Sequence, residues 1–327
     1  MFNGKSILVT GGTGSFGTRF VKMLLKDYEP KRTIVYSRDE QKHYDLGQKI
    51  QHPSLRFFVG DVRDLSRLRL AMRGVDLVVH AAAMKHVPIA EYNPMECVKT
   101  NIDGADNVVR ASIDCGVDKV IALPTDKAAN PVNLYGATKL ASDKVFIASN
   151  SLAGANGTKF AVVRYGNVVG SNGSVVPFFR RLIDNGADHL PITDDRMTRF
   201  WITLDQGIDF VKTCFEMMEG GELFVPKIPS MRITDLAKVM APDLPHKIIG
   251  IRPGEKIHEV MITEDDSRST VELEDRYVIE PQLEWWSYKG HREKGKLVTE
   301  GFRYSSDIND SWMSSNELQT ILDGDNF

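Results

Sequence analysis

Thr10-Gly11-Gly12-Thr13-Gly14-Ser15-Phe16-Gly17 directly follows the apolar run Ser6-Ile7-Leu8-Val9 and leads into the amphipathic stretch Phe16 to Lys26. A β-branched run, a glycine turn and a helical segment in that order decide the fold. The glycines fit two registers, Gly12-x-Gly14-x-x-Gly17 and Thr10-Gly11-x-x-Gly14-x-x-Gly17. Glycine there permits a tight turn, close approach of backbone N–H groups to a pyrophosphate, and close packing of helix on strand. Gly11, Thr13, Gly14, Ser15, Phe16 and Gly17 are therefore expected to cradle a dinucleotide. Glycine-rich turns also simply link strand to helix, so the weight of the motif comes from its place between the two.

Outward from that turn, short β-branched runs alternate with helical stretches. Ser6–Thr10, Thr33–Tyr36, Leu55–Val59, Leu77–His80, Lys119–Leu123 and Phe160–Arg164 read as strands. Phe16–Lys26, Leu65–Met72, Gly104–Cys115 and Leu134–Ser149 supply helices between them. This pattern predicts an α/β fold, a doubly wound parallel sheet of Rossmann type with its ligand crevice at the carboxyl ends of the strands. Beyond Gly170 the alternation stops. Val175–Asn185, Asp205–Glu219 and Ile233–Met240 read as helices, and Leu223–Val225 as a strand. We expect residues 1–170 with 202–221 to form the dinucleotide domain. Residues 171–201 with 222–327 are expected to form a smaller C-terminal α/β substrate domain and tail. In that tail Trp285-Trp286 caps the domain or sits at a subunit contact.

The end of the second strand bears on the cofactor. An enzyme using NAD usually places Asp or Glu there for the ribose 2′-hydroxyl. This chain has Ser37-Arg38, with Lys42 one helical turn later, a hydroxyl and two cations suited to the 2′-phosphate of NADP. A solvated charged turn that includes Asp39-Glu40 is the other reading. Asp61-Val62 ends the third strand where an adenine would lie, and Ala81-Ala82 ends the fourth, where small side chains admit a cofactor.

Of nine tyrosines, only Tyr135 has a lysine four residues on, Lys139. Side chains four apart share one helix face, and an ammonium favours tyrosinate over a phenol whose ordinary pKa is about 10. Tyr135 is then expected to take a proton from a sugar hydroxyl while Lys139 holds the nicotinamide ribose. Close upstream stand Thr125-Asp126-Lys127, an acid and a base that a plain alcohol dehydrogenase does not need.

Thr10 to Gly17 together with Tyr135-x-x-x-Lys139 resembles the extended short-chain dehydrogenase/reductase family. Thr125-Asp126-Lys127-Ala128-Ala129-Asn130-Pro131, Asn133-Leu134-Tyr135-Gly136-Ala137-Thr138-Lys139 and Ala83-Met84-Lys85-His86-Val87-Pro88 resemble the inverting UDP-N-acetylglucosamine 4,6-dehydratases. The resemblance runs from Met1 to about Ser269. It implies oxidation of the sugar at C4, elimination of water across C5 and C6, and return of hydride to C6, with NADP regenerated. The product is a 4-keto-6-deoxy sugar inverted at C5, the first step toward the pseudaminic acid of bacterial flagellin. Retaining relatives commonly carry Asp-Glu after the Thr, and large membrane-anchored relatives often carry Met in place of this Tyr. The resemblance assigns Lys127 as the C5 base, Asp126 as the acid at C6 and Thr125 as a hydrogen-bonding partner of the C4 oxygen. Lys127 must be partly neutral to act as a base, a state favoured by burial and a nearby cation. Pro124 departs from the family, which usually has Ser there; it lacks an N–H and fixes φ.

On the substrate side, the resemblance assigns Asn167, Arg199, Arg252 and Glu255 to the nucleotide-sugar, with Val168 beside the cofactor. A guanidinium suits a diphosphate because its fork pairs with two oxygens. Lys85 is expected beside the sugar or the nicotinamide. His80 and His86 sit among apolar neighbours and read as structural.

A chain of 327 residues, 42% hydrophobic, with a net charge of −3, can bury a large core and carries no basic excess for nucleic acid. Cys97, Cys115 and Cys214 have no metal or disulfide spacing, and no apolar stretch reaches the ~20 residues of a membrane helix. A cytoplasmic protein without a metal site is expected, and the resemblance implies a homo-oligomer, a hexamer. Two rival readings remain at this level: a nucleotide-sugar epimerase or reductase on the same fold, and a non-catalytic NADP-binding regulator. The first leaves Asp126-Lys127 unexplained. The second typically lacks the tyrosine–lysine pair.

Overall fold

The computed structural model describes residues 1–123, 125–154, 157–171, 173–282 and 288–324. Six strands, β1 (Ser6–Thr10), β2 (Arg32–Ser37), β3 (Leu55–Val59), β4 (Leu77–His80), β5 (Lys119–Ala122) and β6 (Lys159–Val163), lie parallel in the order 3-2-1-4-5-6. The order reverses between β1 and β4, which puts a ligand crevice outside their carboxyl ends. Both faces of the sheet are covered, so β1 and β4 are buried at every position and read as unbroken apolar runs rather than alternating ones.

The covering helices are α1 (Ser15–Asp27), α2 (Glu40–Lys49), α3 (Leu65–Met72), α4 (Val87–Tyr92), α5 (Pro94–Val98), α6 (Gly104–Asp114) and α7 (Leu134–Ala153). Side-chain caps start three of them: Asp39 accepts from Lys42 N, Asp64 from Arg67 N and Asn133 from Gly136 N. Between α5 and α6 the chain widens into a π turn, Lys99–Asp103. Its buried Asn101 bonds Met84 N (2.8 Å), Met84 O (3.0 Å) and Thr138 Oγ1 (3.0 Å), tying the segment after β4 to α7.

Beyond β6 the expected assignment differs from the observed pairing. The strand Leu223–Pro226, expected in the smaller domain, runs parallel to β6 and extends the large sheet. Arg276–Ile279, Thr270–Glu272 and Lys296–Leu297 then add in antiparallel fashion, giving ten strands. A hairpin needs no crossover helix, so these strands join without the alternation that marks the first half. The helix Leu204–Met217 packs on α1 and β5 and buries Ile208, Val211 and Phe215 in the main core.

What remains forms a smaller layer over the strand ends. Asn167–Val168, Thr198–Ile202 and Ser230–Arg232 make a three-stranded sheet, and Leu190–Ile192 pairs with His246–Ile248. Helices Val175–Asp184, Ile233–Met240 and Ser315–Gly324 close a second apolar cluster around Trp201, Phe179, Leu236 and Leu318. Pro124 and Trp285-Trp286 lie outside the described residues.

Candidate active site

At the end of β1 the chain turns through Gly11 at φ +65°. A Cβ on Gly11 would stand 2.9 Å from the backbone of Ala81 and Ala82, and one on Gly17 would stand 2.5 Å from Gly11 O. The turn thus lies against the end of β4 and α1 lies against the turn, which only glycine allows. Gly14 caps α1 with no side-chain hydrogen bond, and no acid stands in the first turn, so the helix N-terminus is open to an anion. Phe16 stacks on Phe20 and Tyr165. Ala82 N donates to Thr10 Oγ1 (3.2 Å), and Thr10 Oγ1 also meets His80 Nδ1 (2.8 Å). Burial lowers His80 to about 3, so a neutral imidazole serves as a structural spacer.

At the end of β2, Ser37 Oγ bonds Thr13 Oγ1 (2.9 Å) and His43 Nε2 (2.8 Å). Arg38 leans on Asp61 at 3.7 Å and Lys42 on Asp39 at 3.5 Å, both on the exposed rim. Asp61 also binds Arg63 through its backbone N (2.9 Å) and guanidinium (2.8 Å), so its carboxylate is engaged by arginines. Asp39, the nearest acid after the strand, is spent capping α2. Asp39 and Asp61 are thus both engaged, and Glu40 stands exposed in the first turn of α2. Val62 packs under Gly104, Val168 lies in a two-residue strand packed against the main core, and Lys85 lies on the exposed segment between β4 and α4.

The catalytic-type residues follow β5. Neighbouring side chains on a strand face opposite ways, so Asp126 and Lys127 can share one site only if the strand ends before them. It does. Thr125 is extended, and a 3₁₀ turn, Asp126–Ala128, follows, with Asn130 at φ 45° completing the change of direction. Thr125 Oγ1 donates to Asp126 Oδ1 (2.8 Å), and Lys127 Nζ donates to the same oxygen (3.1 Å). Asp126 is 1% exposed.

Across the turn, Asn133 holds the start of α7 and also donates from Nδ2 to Gly254 O (2.7 Å), anchoring the Arg252-to-Glu255 segment beside Tyr135. Lys139, 2% exposed, donates to Leu123 O (3.2 Å). One helical turn on, Asp143 meets Arg164 Nη2 at 3.3 Å. Burial pushes Asp143 up to about 6 against the pull of Arg164 and Lys139.

Two protonation expectations need correction. Burial pushes the Tyr135 phenol up to about 12, with Asp126 and Asp143 adding to the rise. The cation that opposes this is Lys127, helped by a Thr125 hydrogen bond, and not Lys139, whose ammonium is directed to a backbone carbonyl and is itself lowered by burial. Lys127 is likewise not neutral at rest. Burial lowers it, but Asp126 and Glu259 outweigh burial and hold the ammonium above its ordinary value. The same cation, the Thr125 hydroxyl and Arg199 outweigh burial at Asp126 and keep it ionised.

Arg199 and Arg252 stand in different surroundings. Arg252 is over half exposed and loosely paired with Glu255 at 3.9 Å, open to a ligand. Arg199, expected at the nucleotide end, is buried instead. Its guanidinium donates to Thr198 O (2.6 Å), Ile257 O (2.9 Å) and Lys256 O (3.0 Å), and its Nε lies 3.7 Å from Glu259. It is thereby committed to the Lys127 side of the site. Asn167 sits in register with Trp201 at the edge of the small sheet. Glu259, Asn101 and Asp143 carry no sequence signal of their own: no motif marks them, and each acquires its place through contacts remote in the chain.

The model of the polysaccharide biosynthesis protein family matches residues 7–281. An inverting UDP-N-acetylglucosamine 4,6-dehydratase of Campylobacter jejuni is 60% identical over 98% of this chain and 98% of its own. The X-ray structure of Pen from Bacillus thuringiensis superposes with a TM-score of 0.90 at 35% identity, covering 99% of this chain and 98% of that one. A dTDP-glucose 4,6-dehydratase, DesIV from Streptomyces venezuelae with NAD and TYD bound, shares the fold at TM-score 0.69 and 24% identity, covering 77% of this chain and 86% of that one.

Proposed function

From the premise that this chain belongs to the polysaccharide biosynthesis protein family, we propose that it dehydrates UDP-N-acetylglucosamine to UDP-2-acetamido-2,6-dideoxy-β-L-arabino-hex-4-ulose. The observation that carries this reading is the buried cluster of Thr125, Asp126 and Lys127 against Tyr135, an acid and a base beside an oxidation site. An epimerase needs neither.

The glycine cradle, the uncapped start of α1 and the tyrosine–lysine pair fit a nicotinamide dinucleotide. Ser37, Arg38 and Lys42, a hydroxyl and two cations at the end of β2 with Asp39 engaged as the cap of α2, favour NADP. When bound, the nicotinamide supplies hydride acceptance at C4 and hydride return at C6. Gly11 to Gly17 would hold its pyrophosphate and Lys139 its ribose. Once its own phenol proton has passed to solvent, Tyr135 takes the C4 hydroxyl proton, and Thr125 bonds the resulting carbonyl. The C4 ketone makes the C5 proton acidic; Lys127 removes it while Asp126 protonates the C6 hydroxyl, which leaves as water. Lys127 must first lose the proton it carries at rest. Passing that proton to Asp126 Oδ1 along the existing 3.1 Å hydrogen bond arms base and acid together. After elimination Lys127 is again an ammonium and Asp126 a carboxylate, the pair found in the resting site, and C5 takes a proton of solvent origin as hydride returns to C6.

Arg252 and Glu255 are assigned to the nucleotide end, Asn167 and Lys85 to the sugar side. The reaction opens a route to pseudaminic acid in the cytoplasm, carried out by a homo-oligomer. Incubation with UDP-N-acetylglucosamine without added cofactor tests the reading. A product lighter by one water, with deuterium at C5 when made in D₂O, is expected. A product of unchanged mass would make the protein an epimerase.

A further inference from the structure

Glu259 is 1% exposed and lies 132 residues from the turn that it meets. Its main chain is clamped on both sides: Glu259 N donates to Ser306 Oγ (2.9 Å), and Glu259 O accepts from Ser306 N (2.8 Å) and Ser305 Oγ (3.2 Å). The side chain thus leaves from a fixed point just before the strand Val260–Ile262. Its Oε1 stands 3.2 Å from Lys127 Nζ and 3.7 Å from Arg199 Nε, and its Oε2 stands 4.0 Å from Lys256 Nζ. That second oxygen is buried with no hydrogen-bond partner. A buried carboxylate with one oxygen unsatisfied is costly, and staple pairs of equal geometry are readily replaced by apolar packing. Its presence beside the elimination base calls for a chemical reason.

Resting on the dehydratase reading, we infer that Glu259 is a positioning residue for the elimination. It fixes Lys127 beside Asp126 and, with Arg199 as its counter-charge, governs how the Lys127 proton is shared. The groups facing Lys127 are Asp126 and Thr125 on its own turn, Tyr135 from α7, Arg199 from the strand Thr198–Ile202, and Lys256 and Glu259 from the segment before Val260. Asp126 and Glu259 hold the proton on the amine; Arg199 acts against them. The proton balance is internal. One proton moves from Lys127 Nζ to Asp126 Oδ1, Lys127 then takes the C5 proton, and Asp126 passes its proton to the departing C6 oxygen. Glu259 exchanges no proton in this sequence. Its charge sets the ease of the first transfer, and its clamp keeps the amine from swinging out of the 3.1 Å bond.

The test is C5 deuterium exchange into the 4-keto-6-deoxy product at a fixed neutral pH, read by NMR. Exchange needs the free amine, and because its proton passes to Asp126 within the pair, the share of free amine is set by the charge of Glu259 and not by bulk pH. Glu259→Gln keeps the shape and removes the charge, so exchange is expected to rise about tenfold or more. Glu259→Asp keeps the charge and is expected to stay near the native rate. Unchanged or slower exchange in Glu259→Gln overturns the inference and makes Glu259 a staple. Should Glu259→Gln fail to fold, Glu259→Met, uncharged and of similar length, carries the test, and unchanged or slower exchange there overturns it equally. A native protein that dehydrates no UDP-N-acetylglucosamine fells the dehydratase reading and this inference together. A native protein whose exchange is lost in Lys127→Ala, beside unchanged exchange in Glu259→Gln, fells only the inference.

Discussion

The proposed acid–base pair, Lys127 and Asp126, stands out in the sequence because the two are adjacent and follow a strand; their resting charge does not. That charge depends on Glu259 and Arg199, which reach the turn only in three dimensions. Removing the base by Lys127→Ala is expected to lower dehydration by about 100- to 10,000-fold and to abolish C5 deuterium exchange; persistent exchange would transfer the base role elsewhere. Arg252→Ala, at an exposed side chain, is expected to raise KM by about tenfold or more with kcat nearly unchanged, because it removes binding common to ground and transition states. Steady-state kinetics decide this. Asp143 gives a stability prediction. Its carboxyl sits at about 6 in the fold and at about 3.9 in an unfolded chain, so the folded state binds its proton more tightly. The stability from this proton is fully present below the unfolded value and lost as pH rises through about 6, a span of about 2–3 kcal/mol. Thermal melts of Asp143→Asn are expected to lose that part of the pH dependence between about pH 4 and 6.

Among elements, β1, β3, β4 and α3 have the bounds that their patterns predict; β1 and β4 are buried on both faces, which leaves no other place for their apolar runs. The strands Thr270–Glu272 and Lys296–Leu297 escaped because they are short and carry charge at the sheet's margin, where one side needs no apolar cover. The π turn escaped because its residues continue a helical pattern, and one extra residue in a turn leaves no trace in periodicity. Asn133 links two elements through its cap on α7 and its bond to Gly254. Asn133→Ala is expected to cost about 1 kcal/mol of stability, read by denaturant unfolding, and to raise KM as the Arg252 segment loses its anchor. At the β2 end, Arg38→Ala is expected to weaken NADP more than NAD. Direct titration with both cofactors checks it, and equal losses would remove the 2′-phosphate assignment.

For the molecule as a whole, the doubly wound half was legible because alternation of strand and helix admits few topologies, whereas the recruitment of later strands to its edge depends on pairing that no local pattern records. Two remote parts of the chain therefore meet at one turn: β5 delivers Asp126 and Lys127, and the segment clamped by Ser305-Ser306 delivers Glu259. Protein synthesis runs at roughly 5–20 residues per second. A nascent chain that has already laid down the glycine turn, Tyr135 and Lys139 waits on the order of ten seconds more before Glu259 exists, and longer before its serine clamp does. Until translation ends, the newborn polypeptide holds the residues proposed to grip a dinucleotide but has nothing to brace the lysine proposed to move the proton. Competence to break the sugar's C–O bond is the last property the chain acquires.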